Sequence, residues 1–210
     1  MRRVLLVPAL LLIASCLETP GEIASGGAVG GDAPLDRYEG LMRAGATANS
    51  VSDYGAAEAA FRQALDVCAD AFGPDDAVCA EPAGRLAIEI SNQGRFEDSG
   101  PLLDYAERLL AADGGALDAL RIQGYRALDL ANQGRDEAAF TLAREATLAR
   151  RDALQTLTGG DRRTLTTALR ELGLGMFAEA TIALRRDRLG EAEVSAELAR
   201  KIIGETPDAP

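Results

Sequence analysis

Asn92-Gln93-Gly94-Arg95 returns forty residues later as Asn132-Gln133-Gly134-Arg135, and this tetrapeptide decides the fold. Glycine tolerates positive φ without a Cβ clash, so a Gly after a polar pair marks the C-terminus of one helix and the start of the next. The flanks agree. Upstream of each turn lie small or branched apolar residues (Ala44 and Ala48; Ala87 and Ile90; Ala127 and Leu130), and a second apolar series follows. In the first copy that series is Ala57, Phe61, Ala64, Leu65, Cys68 and Phe72, opposite Glu58, Arg62 and Asp66. Leu103, Ala106 and Leu110 follow in the next copy, then Ala139, Ala143 and Ala146. Spacing of three and four is the stripe of an amphipathic helix. Each copy therefore predicts a helix-turn-helix, and the period predicts a stacked array.

Working outward, Leu165, Leu169, Leu172, Met176, Ala180 and Ala183 predict a long helix over 162–186, with Asp161 as its N-cap. Leu189-Gly190-Glu191-Ala192 opens a last helix running through Ala196 and Ala199 to Ile203. This fourth unit is atypical, as a capping unit is expected to be. Gly100-Pro101 predicts a kink or restart in the second helix of the second copy, because proline lacks the N–H a helix needs. The expected class is all-α, and the repeat region is placed at 35–204.

The small, small, aromatic, small order of Leu41, Gly45, Ala48, Tyr54, Ala57, Phe61 and Ala64 resembles the tetratricopeptide repeat. The spacing of forty and the loop Phe72-Gly73-Pro74-Asp75-Asp76 resemble its kinesin-light-chain-like variety. The NQGR turns also resemble the helical region that precedes caspase-like CHAT domains, which would make this chain a regulatory portion of a protease system. The family resemblance implies an α-solenoid of about three to four units. Its first helices would line a concave groove for a partner protein, matched here to Glu39, Met42, Ala46 and Asn49, to Glu81, Ile88 and Asn92, and to Arg121, Leu128 and Asn132. Asn92 and Asn132 either bond a docked peptide's main chain or cap their own helix ends. Self-association through an end of the array is a further reading.

The N-terminus carries a different message. Met1-Arg2-Arg3 precedes an apolar run from Val4 to Ser15, too short for the roughly 20 residues of a membrane-spanning helix, and this is the form of a secretory signal. Ile13-Ala14-Ser15-Cys16 resembles the lipobox of bacterial lipoproteins, which implies cleavage after residue 15 and lipidation of Cys16. Leu17 in place of aspartate favours the outer membrane, and 17–34, rich in Gly and small residues, reads as a flexible tether. Residues 205–210 read as a disordered tail.

Composition excludes several functions. A net charge of −11 opposes nucleic-acid binding. With no histidine in the chain, the commonest general base and metal ligand is missing, so neither catalysis nor a cofactor nor a metal is expected. Asp75-Asp76 and Glu97-Asp98 read as solvated acids at a loop and a helix start. Cys68 and Cys79 read either as a disulfide across the inter-repeat loop or as two small buried apolar residues.

Overall fold

Four turns built the same way punctuate the protein, whose computed structural model describes residues 33–113, 116–156 and 162–205. Ser52, Gly94, Gly134 and Asp187 have φ of 61°, 79°, 76° and 55°, at intervals of 42, 40 and 53 residues. The residue after each donates its N–H to a carbonyl five positions back: Asp53 to Ala48, Arg95 to Ile90, Arg135 to Leu130 and Arg188 to Ala183, all at 2.9–3.2 Å. This 6→1 bond closes a helix C-terminus by capturing an orphaned carbonyl.

The turns join eight helices, with no strand among the described residues. They are α1 (Ala33–Ser50), α2 (Tyr54–Phe72), α3 (Ala80–Asn92), α4 (Phe96–Asp113), α5 (Ala116–Asn132), α6 (Asp136–Thr156), α7 (Arg162–Arg185) and α8 (Leu189–Glu205). A 3₁₀ turn, Ala77–Cys79, precedes α3. Each pair, α1–α2 through α7–α8, packs together, and each second helix also packs on the first helix of the next pair. First helices touch as well: α3 on α5, and α5 on α7. Helix α1 begins at Ala33, two residues inside the stretch expected as tether. Likewise α8 runs on to Glu205, the first residue of the expected tail. The signal at 1–15, Cys16, the tether to residue 32, Asp161 and the tail from 206 lie outside the described residues.

Equivalent positions of the second helices fill the core. Ala57, Ser99, Ala139 and Ala192 are all buried, as are Phe61, Leu103 and Ala143, then Ala64, Ala106, Ala146 and Ala199. Small side chains here let the first helix approach closely. A Cβ on Gly45 would sit 2.5 Å from the Phe61 ring. Ser99 stands where the other repeats have alanine, and its Oγ donates to the buried Asp129 carboxylate at 2.7 Å, joining α4 to α5.

The expected break at Gly100-Pro101 does not occur. Helix α4 runs unbroken through Pro101. Both Pro101 and Glu97, whose carbonyl loses its i+4 donor, lie on the exposed side, where water serves in place of the missing N–H.

Cys68, late in α2, and Cys79, at the end of the 3₁₀ turn, are bonded through a disulfide with Cα atoms 5.6 Å apart. Both are fully buried. The bridge spans a separation of 11 residues. Reducing it is expected to cost about 2–3 kcal/mol, since a short closed loop restricts the unfolded chain. Urea unfolding with and without reductant measures this, and a midpoint unmoved by reductant would refute it.

Candidate protein-docking face

The first helices α1, α3, α5 and α7 present one layer, and all ten residues expected to line a groove lie on α1, α3 or α5. Two polar rows cross this layer from pair to pair. One runs near the C-terminal ends of the helices. Asn49 Nδ2 donates to Glu89 Oε1 at 2.5 Å, and Asn92 Nδ2 donates to the other Glu89 oxygen at 3.4 Å. Asn132 Nδ2 donates to Ser91 Oγ and Asn92 Oδ1 at 3.1 and 3.0 Å, and Arg185 Nη1 donates to Asn132 Oδ1 at 2.9 Å. Neither asparagine caps its helix end, because the backbone turn already does so. Their amides bond mainly across the repeats.

The second row lies toward the N-terminal ends. Arg85 Nε and Arg121 Nη1 reach Glu81 at 2.7 and 2.9 Å, and the Tyr125 hydroxyl donates to the same carboxylate at 3.0 Å. Arg121 also grips Glu171 of α7 through Nε and Nη2, the closest approach being 2.7 Å. Between the rows, Ile88 is buried, while Met42, Ala46 and Leu128 are half-buried. Met42 packs on the cluster of Ala57, Phe61, Leu86 and Ile90, and Leu128 packs on that of Ala127, Phe140 and Ile182. Glu39 is half-exposed beside Arg43, at 3.8 Å.

The rows have opposite electrostatics. Burial would raise the Glu81 carboxyl, but Arg85 and Arg121 hold it down at about 2. Burial pushes Glu89 up to about 7, because the Asn49 and Asn92 amides and the more distant Arg85 compensate only in part, with Glu58 adding repulsion. The unfolded carboxyl titrates near 4.5, so the neutral form of Glu89 favours folding. Its contribution is fully present below pH 4.5 and is lost as pH rises through about 7. Glu89→Gln keeps the acceptor and removes the charge. It is expected to stabilise the protein at pH 8 by on the order of 2 kcal/mol and to change little at pH 4. Denaturant unfolding at the two pH values checks this, and a variant no more stable at pH 8 would contradict it.

Glu89, Asp129, Glu171, Tyr125 and Arg185 were not among the expected face residues. A signal for two of them was present: Glu89 and Asp129 stand three residues before Asn92 and Asn132, each an acid inside an apolar stretch. Hollows are small. One of about 110 Å³ lies beside Ala77, Val78, Leu110, Arg121 and Ile122, and another of about 440 Å³ separates α2 from α4 at Arg62, Ile90, Glu97 and Leu102. Among the described residues, no cluster of His, Cys, Asp and Glu could hold a metal ion, and no helix is long and apolar enough to cross a membrane. No protein-family model matches the chain and no curated protein matches it, so the reading of this face rests on its geometry.

Proposed function

We propose that the protein is a non-enzymatic docking module, a tetratricopeptide-type α-solenoid held at the bacterial envelope by lipid on Cys16, outer membrane favoured. The observation that carries this reading is the layer of first helices, tied side by side through two polar rows. Such ties fix the spacing of half-buried Met42, Ala46 and Leu128 before any partner arrives, and a preorganised face loses little entropy on binding. Four like turns at near-regular intervals support the repeat assignment. The partner is another protein, reached without a cofactor.

Photo-crosslinking tests it. A benzoylphenylalanine at Glu39, on the first-helix face, is expected to capture one dominant envelope protein. The same probe at exposed Arg62, on α2, is expected to capture none. Equal labelling from both positions, or none from either, would remove the docking face.

One observation favours self-association as a second reading. Leu165, Leu174, Leu189, Val194 and Leu198, all exposed, crowd the last helix pair. A mass by light scattering that rises with concentration would support it, and a strict monomer would exclude it.

A further inference from the structure

Val194 and Leu198 of α8 are 59% and 43% exposed. They stand seven and eleven places after Asp187, the left-handed residue of their turn. Counted from the other three turns, the same places hold Ala59 and Gln63 in α2, Pro101 and Tyr105 in α4, and Thr141 and Glu145 in α6. All of these but the half-buried Tyr105 are exposed, although a further helix pair follows each of those helices. Both places therefore lie on the outward side of the second helices, away from the stacking of one pair on the next. The first three second helices keep that side small or polar, and Tyr105 donates its hydroxyl to the Pro74 carbonyl. The last helix makes it apolar, although the terminal unit of an array is the one expected to be polar outside.

The apolar pair belongs to a longer stripe. Glu191, Val194, Leu198 and Lys201 follow one another at intervals of three, four and three, and all four are exposed. That spacing runs along one side of a helix and is the seam of a two-helix contact. A second copy of α8, turned end for end about a two-fold axis at residue 196, lays its Leu198 on Val194 and its Lys201 beside Glu191. The symmetry repeats both contacts. A parallel arrangement would instead set Glu191 on Glu191 and Lys201 on Lys201, and opposed like charges are destabilising. The stripe complements itself in one orientation only.

The flanking charges agree with this orientation. Glu191 already meets Arg188 at 3.2 Å and Arg144 at 3.7 Å. Exposed Glu193 and Glu197 lie in the same half of α8, so three carboxylates stand there against two guanidinium groups. The other half carries Arg200 and Lys201, which form no ion pair among the described residues. An antiparallel partner sets the acidic half of each copy against the basic half of the other.

We propose that α8 is a contact between two copies of this chain, packed antiparallel along the stripe from Glu191 to Lys201. The contact rests on the self-association reading and gives it a surface and an orientation. Because it uses a second helix, the first-helix face stays open in both copies.

Lys201 is the only lysine of the chain, which makes a chemical test specific. Zero-length carbodiimide coupling, applied to the full chain, joins a lysine amine to a carboxylate in direct contact with it. Within one helix Glu191 and Lys201 are about 15 Å apart, at about 1.5 Å per residue, so an amide between them has to join two copies. The expected product is a covalent dimer whose linked peptides carry Lys201 joined to Glu191. Val194→Ser combined with Leu198→Ser is expected to lower its yield about tenfold or more. Glu191→Lys and Lys201→Glu are each expected to be monomeric by light scattering, and an equimolar mixture of the two is expected to recover the dimer, since every opposed pair then has opposite charge. Recovery also shows that both variants are folded. A dimer linked from Lys201 to other carboxylates, a yield untouched by the two serines, or a mixture that stays monomeric would overturn this contact and leave self-association standing. No coupled dimer, with a strict monomer in light scattering, would remove both.

Discussion

Replacing Glu171 with alanine is expected to lower stability by about 3–5 kcal/mol, because it removes a buried carboxylate that pairs with Arg121 and whose charge offsets that of the buried Arg150. Glu171 is 6% exposed and accepts from two nitrogens of Arg121. A matched control lies on the same helix as Arg121. Arg126 of α5 bonds Asp104 and Glu107 at 2.6 Å each, but those carboxylates have side-chain exposures of 70% and 40%. Water replaces that pairing readily, so Arg126→Ala is expected to cost under about 1 kcal/mol. Urea unfolding of the two variants decides the matter. Equal losses would mean that burial does not control the strength of these ion pairs.

The second large effect belongs to the first helix pair. Phe61→Ala is expected to cost about 3–5 kcal/mol, as a ring 1% exposed is exchanged for a cavity that helices on both sides cannot collapse to fill. The ring lies over Gly45 and beneath the Arg85 guanidinium, 5.8 Å from its centroid. Gly45→Ala alone is expected to cost about 1–3 kcal/mol through overpacking. The second repeat holds Ala87 and Leu103 at these two positions. Combining Gly45→Ala with Phe61→Leu is therefore expected to recover at least about 1 kcal/mol relative to additivity, since the new methyl occupies space the ring vacates. Strict additivity of the two changes would show that the side chains do not meet.

The sequence disclosed the helices well because each second helix repeats small or apolar residues every three or four positions, and glycine declares its turns. Gly94 and Gly134 behave as read. Ser52 and Asp187 do the same work without announcing it, since a non-glycine residue in the left-handed region is held there by the bonds around it rather than by its own preference. Pro101 misled because a proline's effect depends on which side of the helix its missing donor falls. The periodicity of the stripe, by placing Leu103 and Ala106 inward, already implied that Pro101 points outward. The ten expected face residues do occupy one layer, yet their interactions were not legible. Asn92 and Asn132 carry as many free donors in sequence as any docking residue, and only the packing of α3 against α5 shows that Asn132 donates to Ser91 and Asn92 while Asn92 donates to Glu89. Arg150 was invisible for the opposite reason, because an arginine on a helix reads as solvated until its equivalents in neighbouring repeats are superimposed.

The two polar rows tie only one edge of the molecule. First helices are linked from pair to pair, whereas the second helices do not pack on one another closely: a gap of about 440 Å³ separates α2 from α4, and α6 meets α8 through the exposed Arg144–Glu191 ion pair at 3.7 Å. A strip laced along one margin and only loosely joined along the other is expected to behave as a leaf spring. Bending is expected about the laced margin, with the looser margin fanning apart while the distances between side chains along the lacing change least.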